Sequence, residues 1–257
     1  MNDEIESRID QTAVKLFGIH KSFASVAALR GIDLSINYGQ ILALVGDNGA
    51  GKSTLIKILT GVHAPDRGII EIEGKSYLRL NPALALNKGI SAVYQDLALV
   101  DCLDVAGNLF LGREPTRGPF IDKKQMRSRS QELLQRLQLA IPSVTTPVKV
   151  LSGGQRQGIA IARTVNMGGK TIVFDEPTAA MGVKETKKVL ETICKLRDQN
   201  HAIIVVSHNL HQVFAISDRV CVLQHGRIIG DLLVGQTSPE HIVRLMTGVE
   251  GAVADDE

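Results

Sequence analysis

The chain has 257 residues, 44% of them hydrophobic, and its 29 lysines and arginines against 27 aspartates and glutamates leave a formal charge of +2. That composition suffices for one large domain or two closely joined lobes without staples, and the balanced charge, with no long like-charge run, argues against a surface that tracks nucleic acid or an anionic membrane. No run of about 18 apolar residues is present to span a bilayer, so any work at a membrane is expected from its surface or through a partner. Cys102, Cys194 and Cys221 lie far apart with no CxxC or Cys/His spacing, which argues against a structural zinc site and a disulfide framework and fits a reducing compartment. Met1 to Asp10 alternates acidic and polar residues and shows no export signal.

From Ala13 to Gly46 the pattern is short, β-branched and turn-punctuated: Val14 to Phe17, Ile32 to Ile36, then the apolar run Ile41 to Val45, which reads as a central buried strand. Lys52 to Thr60 places Leu55, Ile56 and Leu59 at helical spacing before Gly61. Ile69 to Gly74 alternates like an antiparallel strand, and Ile90 to Tyr94 reads as another strand. Between about Leu97 and Met167 helical periods dominate, broken by a loop over Gly112 to Pro119, with Leu133, Leu134 and Leu137 on one helix from Gln131 to Leu139. Thr171 to Phe174, Ala202 to Val206 and Val220 to Leu223 are short apolar strands. Lys184 to Arg197 is a helix whose stripe of Val189, Leu190, Ile193 and Leu196 is core. Alternating strands and helices predict an α/β fold with a largely parallel sheet covered on both faces. The small acidic tail from Gly251 to Glu257 is expected to fray.

Gly46, Asp47, Asn48, Gly49, Ala50, Gly51, Lys52 and Ser53 fit G-x-x-x-x-G-K-[ST], between a buried strand and a helix. Glycines in this register turn backbone N–H groups inward on phosphate oxygens, Lys52 places a point charge on the β- and γ-phosphates, and Ser53 offers a hydroxyl to Mg²⁺, with Thr54 closing the loop. Phe174-Asp175-Glu176-Pro177 ends an apolar strand, so both carboxylates emerge at the ligand edge of a parallel sheet. There Asp175 would hold Mg²⁺ and Glu176 would orient or deprotonate an attacking water. Leu151-Ser152-Gly153-Gly154-Gln155 opens a helix from Arg156 to Val165 with Ser152 as N-cap; the paired glycines expose donors as a second anion-binding helix start.

The glycine loop, Tyr94-Gln95-Asp96, LSGGQ, Phe174-Asp175-Glu176-Pro177 and Val206-Ser207-His208 occur in the order of an ABC transporter ATPase subunit, which the chain resembles over nearly its whole length. A GTPase is disfavoured because Asn87-Lys88 is followed by Gly89-Ile90, not by the base-reading NKxD pattern. The resemblance implies a P-loop NTPase core with a mixed, largely parallel sheet, an N-terminal antiparallel β subdomain and an inserted helical subdomain. Residues 1–96 and 168–250 would form the nucleotide-binding core, 97–167 the helical subdomain and 251–257 the tail. It implies ATP and Mg²⁺ as ligands, and a head-to-tail dimer in which Ser152 and Gly154 of one protomer close over the γ-phosphate held by Lys52 of the other. Gln95 would sense metal or attacking water and link the site to a partner, His208 would steady the γ-phosphate and Glu176, and Phe23 would stack on adenine. The plainer readings are a core histidine at a strand end and a core phenylalanine.

Many members of the family carry an Asp where this chain has Gly182, which weakens any contact across a dimer through a carboxylate there. The runs Pro177 to Glu185, Asn108 to Pro115 and Ile242 to Gly248 are similar to the monosaccharide-importer branch. That implies a peripheral subunit on the cytoplasmic face of the membrane, powering sugar import through a separate permease fed by a sugar-binding protein, and paired with a copy of itself or a sister ATPase. No nucleic-acid partner is expected. An ATPase of another nutrient importer, or of an exporter, shares every catalytic residue. A soluble DNA-repair or translation ATPase would carry a coiled-coil insertion, zinc cysteines or two cassettes, none of which is visible.

Overall fold

The structure, a computed structural model, describes residues 12–179 and 181–247. The acidic start and the tail expected to fray lie outside the described residues, as does Ala180.

Two sheets stack around the core. The first is antiparallel, in the order β2 (Val26–Asn37), β1 (Thr12–Phe23), β4 (Arg67–Ile72), β5 (Lys75–Tyr77). The second runs β12 (Arg227–Leu233), β11 (Arg219–Gln224), β3 (Ile41–Val45), β10 (Ala202–Val206), β9 (Thr171–Asp175), β6 (Ile90–Val93); all neighbours are parallel except β12, which returns antiparallel on β11. All five residues of β3 and of β10 are buried, as the apolar runs demand of strands covered on both faces.

Period-two alternation sorts the side chains of these strands. Leu42, Leu44, Ile204 and Val206 face the antiparallel sheet and helix α1 (Lys52–Leu59), packing with Leu16, Ile19, Ile32, Leu55 and Ile56. On the opposite side Ile203, Val205, Ile172 and Phe174 meet the helices. One cover of the parallel sheet is therefore largely another sheet. The long β1–β2 hairpin extends beyond both apolar stretches read from the sequence: Ile19 and Leu29 are still buried in its outer part, while its tip at Phe23 and Val26 is exposed.

The helical region holds α3 (Val105–Leu109), α4 (Lys123–Arg136) and α5 (Gly153–Asn166), preceded in the chain by α2 (Pro82–Asn87). Leu133, Leu134 and Leu137 are buried as expected, but α4 starts eight residues before Gln131, capped by the Asp122 carboxylate accepting from Gln125 N–H. Where a loop over Gly112 to Pro119 was expected, a small hairpin forms from β7 (Thr116–Arg117) and β8 (Phe120–Ile121). Asn108, fully buried, accepts from Val100 N–H and donates to Val100 O, pinning the loop that follows Gln95. The remaining helices are α6 (Val183–Asp198), α7 (Leu210–Ile216) and α8 (Pro239–Thr247); α7 and α8 cover Ala43, Val45, Val220 and Val222. Among the described residues no helix is long and apolar enough to cross a membrane.

Candidate nucleotide site

The loop between β3 and α1 is built where only glycine fits. Gly46 has φ +149°, and a Cβ there would lie 2.1 Å from Leu223 O; at Gly51, φ +111°, it would lie 2.6 Å from Ala28 O. β11 and β2 thus press the loop from both sides. Gly226 N–H donates to Ala50 O at 2.9 Å, which fixes the loop's far limb. Gly51 caps α1 without a side-chain hydrogen bond, and the first turn holds no acidic residue. That helix start keeps its N–H dipoles aimed outward at anions.

Lys52 folds back along the loop, donating to Gly46 O at 2.5 Å and to Asp47 O at 2.9 Å. Burial pulls its ammonium below the usual lysine range, opposed by the charges of Glu176, Asp47 and Asp175. Asp175 ends β9 in register with Val206 of β10. Its carboxyl is pushed up first by burial and then by Glu176, with Lys52 and Lys57 opposing. Such a carboxylate is short of positive charge.

Glu176 has φ +51°, left-handed for a residue with a side chain, and its N–H donates to Val206 O at 2.9 Å. The turn points its carboxylate at His208, whose backbone N–H donates to Oε1 at 3.1 Å and whose Nδ1 lies 2.9 Å from the same oxygen. Gly46 through Thr54, Gln95, Asp175, Glu176 and His208 line one cavity of about 650 Å³, together with Val206 and Met246. Four segments scattered from residue 46 to residue 208 in the chain converge there because β3, β9 and β10 are neighbours and end at the same edge. Met246, on α8, carries no sequence signal for this place; it arrives because α8 docks on β11, with Gln224 Nε2 donating to Met246 O.

Two groups expected at the site stand apart from this cavity. Phe23 ends β1, 42% exposed, with its ring edge-on to His63 at 5.2 Å between centroids and Lys21 Nζ 5.4 Å from its centroid. Ser152 caps α5 in a reciprocal box with Gln155: Ser152 Oγ accepts from Gln155 N–H and Gln155 Oε1 accepts from Ser152 N–H. The helix therefore starts at Gly153, three residues before Arg156, and takes both glycines into its first turn. Ser152, Gly154 and Gln155 line a separate cavity of about 370 Å³ beside α6. A Cβ on Gly154 would come within 3.1 Å of Glu185 Cβ.

α5 also reaches the Gln95 segment. Arg163 donates to Leu97 O at 2.6 Å and Ala98 O at 2.8 Å, and Arg156 pairs with Asp101 at 2.8 Å. Sequence reading gave no role to Arg163, Thr178 or Gln212; Thr178 falls in the Pro177 to Glu185 run, and the other two lie in no motif.

A model of the ABC transporter family matches residues 29–179. The chain is 46% identical to the xylose/arabinose import ATP-binding protein of Sulfolobus acidocaldarius, over 89% of this chain and 91% of that one. It is 40% identical to the ribose import ATP-binding protein of Yersinia pestis over 91% of its own length, but spans only 46% of that longer relative. Among solved structures, a dimeric ATP-binding cassette in a post-hydrolysis state with ADP and phosphate superposes with a TM-score of 0.73 at 25% identity, covering 86% of this chain and 98% of that one. With a family match across more than half its length and a glycine loop, carboxylate pair and histidine meeting at one sheet edge, the chain belongs to the ABC transporter family.

Proposed function

We propose that this chain is the ATP-hydrolysing subunit of an importer of a simple sugar, working on the cytoplasmic face of the membrane through a separate permease. The observation that carries the ATPase reading is the single cavity that gathers Gly46 to Thr54, Gln95, Asp175, Glu176 and His208. The sugar reading is supported by the pentose-importer names of the relatives at 46% and 40% identity.

Backbone donors of Gly46 to Thr54 cradle the triphosphate, and Lys52 exchanges its two carbonyl partners for the β- and γ-phosphates. The oxygen donors of Ser53, Gln95 and Asp175 suit a hard cation. Among the described residues no cluster of three His, Cys, Asp or Glu side chains offers a dedicated cage, which fits magnesium held by few protein ligands and the substrate's phosphates. When bound, that ion supplies charge neutralisation on the phosphates. Glu176 orients or deprotonates the attacking water, and His208 holds the Glu176 carboxylate and steadies the γ-phosphate. The exposed ring of Phe23 offers a stacking face for adenine.

Ser152, Gly153, Gly154 and Gln155 lie outside the phosphate cavity of their own chain, as residues that act on a partner's nucleotide would. In a head-to-tail pair of this chain, or of this chain and a sister ATPase, they close over the partner's γ-phosphate with charge-assisted hydrogen bonds of about 1.5–3 kcal/mol each. Residues 97–167 form the helical subdomain that meets the permease, inserted in a nucleotide-binding core of 1–96 and 168–250; a sugar-binding protein supplies the cargo and no nucleic acid is involved.

Two measurements test the reading. The purified chain should hydrolyse ATP in a magnesium-dependent way, and a deletion strain should lose growth on one or more single sugars in a panel. An inactive chain with no nucleotide affinity would overturn the ATPase reading, and undiminished growth on every sugar would overturn the importer.

A further inference from the structure

The segment after β9 crosses to the segment after β10 twice. The first crossing joins Glu176 to His208. The second lies two residues on: the Thr178 hydroxyl donates to Gln212 Oε1 at 2.5 Å, with Thr178 only 9% exposed. Gln212 is itself fixed, because its N–H donates to the Asn209 carboxamide that caps α7, and Asn209 N–H donates to Ser207 Oγ. An unbroken hydrogen-bonded path therefore runs from the His208 loop through the first turn of α7 to the turn that carries Glu176. That turn begins in a left-handed residue and closes with Ala179 N–H on Glu176 O at 3.2 Å. A side chain on so unfavourable a backbone keeps its direction only when its surroundings over-determine it.

We propose that Gln212 is a positioning residue for ATP hydrolysis: by accepting from Thr178 it locks the Glu176 turn onto α7 and keeps the carboxylate aimed beside His208. The inference rests on the ATPase reading above. It places the effect on the chemical step and leaves nucleotide binding alone, since neither Thr178 nor Gln212 lines the phosphate cavity.

The test is steady-state ATP turnover by the purified full chain. Gln212→Ala should lower kcat by about 10- to 100-fold, the loss typical of a misplaced catalytic group, while KM for ATP and the affinity for a non-hydrolysable analogue stay at the parental values. Gln212→Glu, which keeps an acceptor for the Thr178 hydroxyl, should restore most of kcat, as should Thr178→Ser. Thr178→Val should match Gln212→Ala, and the double variant Thr178→Val/Gln212→Ala should be no slower than either single one, because both remove one bond. Parental kcat in Gln212→Ala overturns the proposal. So does a Gln212→Glu variant as slow as Gln212→Ala, or a double variant whose loss is the product of the two single losses. A parent chain that fails to turn over ATP faster than its own Glu176→Gln variant sinks the ATPase reading instead, so the two failures are distinct.

Discussion

One carboxylate oxygen of Glu176 is shared by two groups of His208, the backbone N–H at 3.1 Å and the ring Nδ1 at 2.9 Å. The ring is 81% exposed and the glutamate side chain only 20%, so the histidine reaches in from the open side to hold a carboxylate already anchored in its turn. Glu176→Gln keeps the shape and an acceptor oxygen but loses the charge needed to activate water. Turnover should fall by about 10²- to 10⁴-fold, the usual size of a general-base contribution, with ATP affinity by calorimetry unchanged. Equal turnover in variant and parent would remove Glu176 from its role.

Lys52 is held in the loop by Gly46 O and Asp47 O, so its ammonium waits beside the place where phosphates would lie. Lys52→Ala deletes the one side-chain cation of the loop. A charge-assisted hydrogen bond contributes about 1.5–3 kcal/mol, so ATP should bind roughly 10- to 100-fold more weakly. The β3 and α1 cores are untouched by this change, and thermal unfolding without nucleotide should stay close to the parent's. Unchanged affinity in a calorimeter would contradict the assignment.

Much of this site was legible in the sequence because its parts are local. The glycine loop announces itself through residues 46 to 53, and the structure explains the spacing: Gly46 and Gly51 are the positions where Leu223 O and Ala28 O leave no space for a Cβ. Apolar runs predicted β3, β9 and β10, since strands buried on both faces need no partner to be recognised. Other features depend on distant segments. Nothing in Val26 to Leu29 betrays that β2 extends so far along β1, and the Phe120–Ile121 strand exists only through its pairing with Thr116 and Arg117. The start of α4 was missed because Lys123 to Ser130 is almost wholly polar, with Met126 alone giving an apolar mark before Ser130. Met246 and Thr178 fall in family-like runs that say nothing of the nucleotide and Gln212 in none; only tertiary packing brings Met246 into the cavity and joins Thr178 to Gln212 beside it.

Glu73 ties the two sheets together. At the end of β4 its Oε1 accepts from Lys170 Nζ, just before β9, and from Tyr38 Oη, just after β2, both at 2.8 Å. The Lys170 bond foremost, then the Tyr38 bond, holds its carboxyl below the usual range. The folded chain thus gives up this proton at lower pH than the unfolded chain. The resulting stabilisation is complete above the unfolded value of about 4.3 and is lost as pH falls through the lower folded value. Because the pair is solvent-exposed, Glu73→Gln should cost only a few tenths of a kcal/mol at pH 7. Denaturant titrations should show that difference shrinking as pH is lowered toward and below 4 and shrinking in high salt. A difference that grew on acidification would mean the carboxylate is not stabilising the fold.

Ser152 has two separable duties, and substitution can part them. Within its own chain it caps α5, accepting from Gln155 N–H in the reciprocal box. In the proposed dimer its hydroxyl also meets the partner's γ-phosphate. Ser152→Ala removes the cap without adding bulk and should cost about 1 kcal/mol of stability. Ser152→Arg loses the same cap but adds a long cation where two surfaces must close. Both variants should bind ATP as the parent does, because Ser152 lies outside the phosphate cavity of its own chain. In a Glu176→Gln background, where hydrolysis no longer releases the pair, light scattering with ATP should show dimers of the parent sequence and only monomers for Ser152→Arg. Ser152→Ala should retain weakened dimerisation, since the backbone donors of Gly153 and Gly154 persist at the helix start. Dimers of Ser152→Arg as stable as those of the parent would place the α5 start away from the closing surface and undo the shared site.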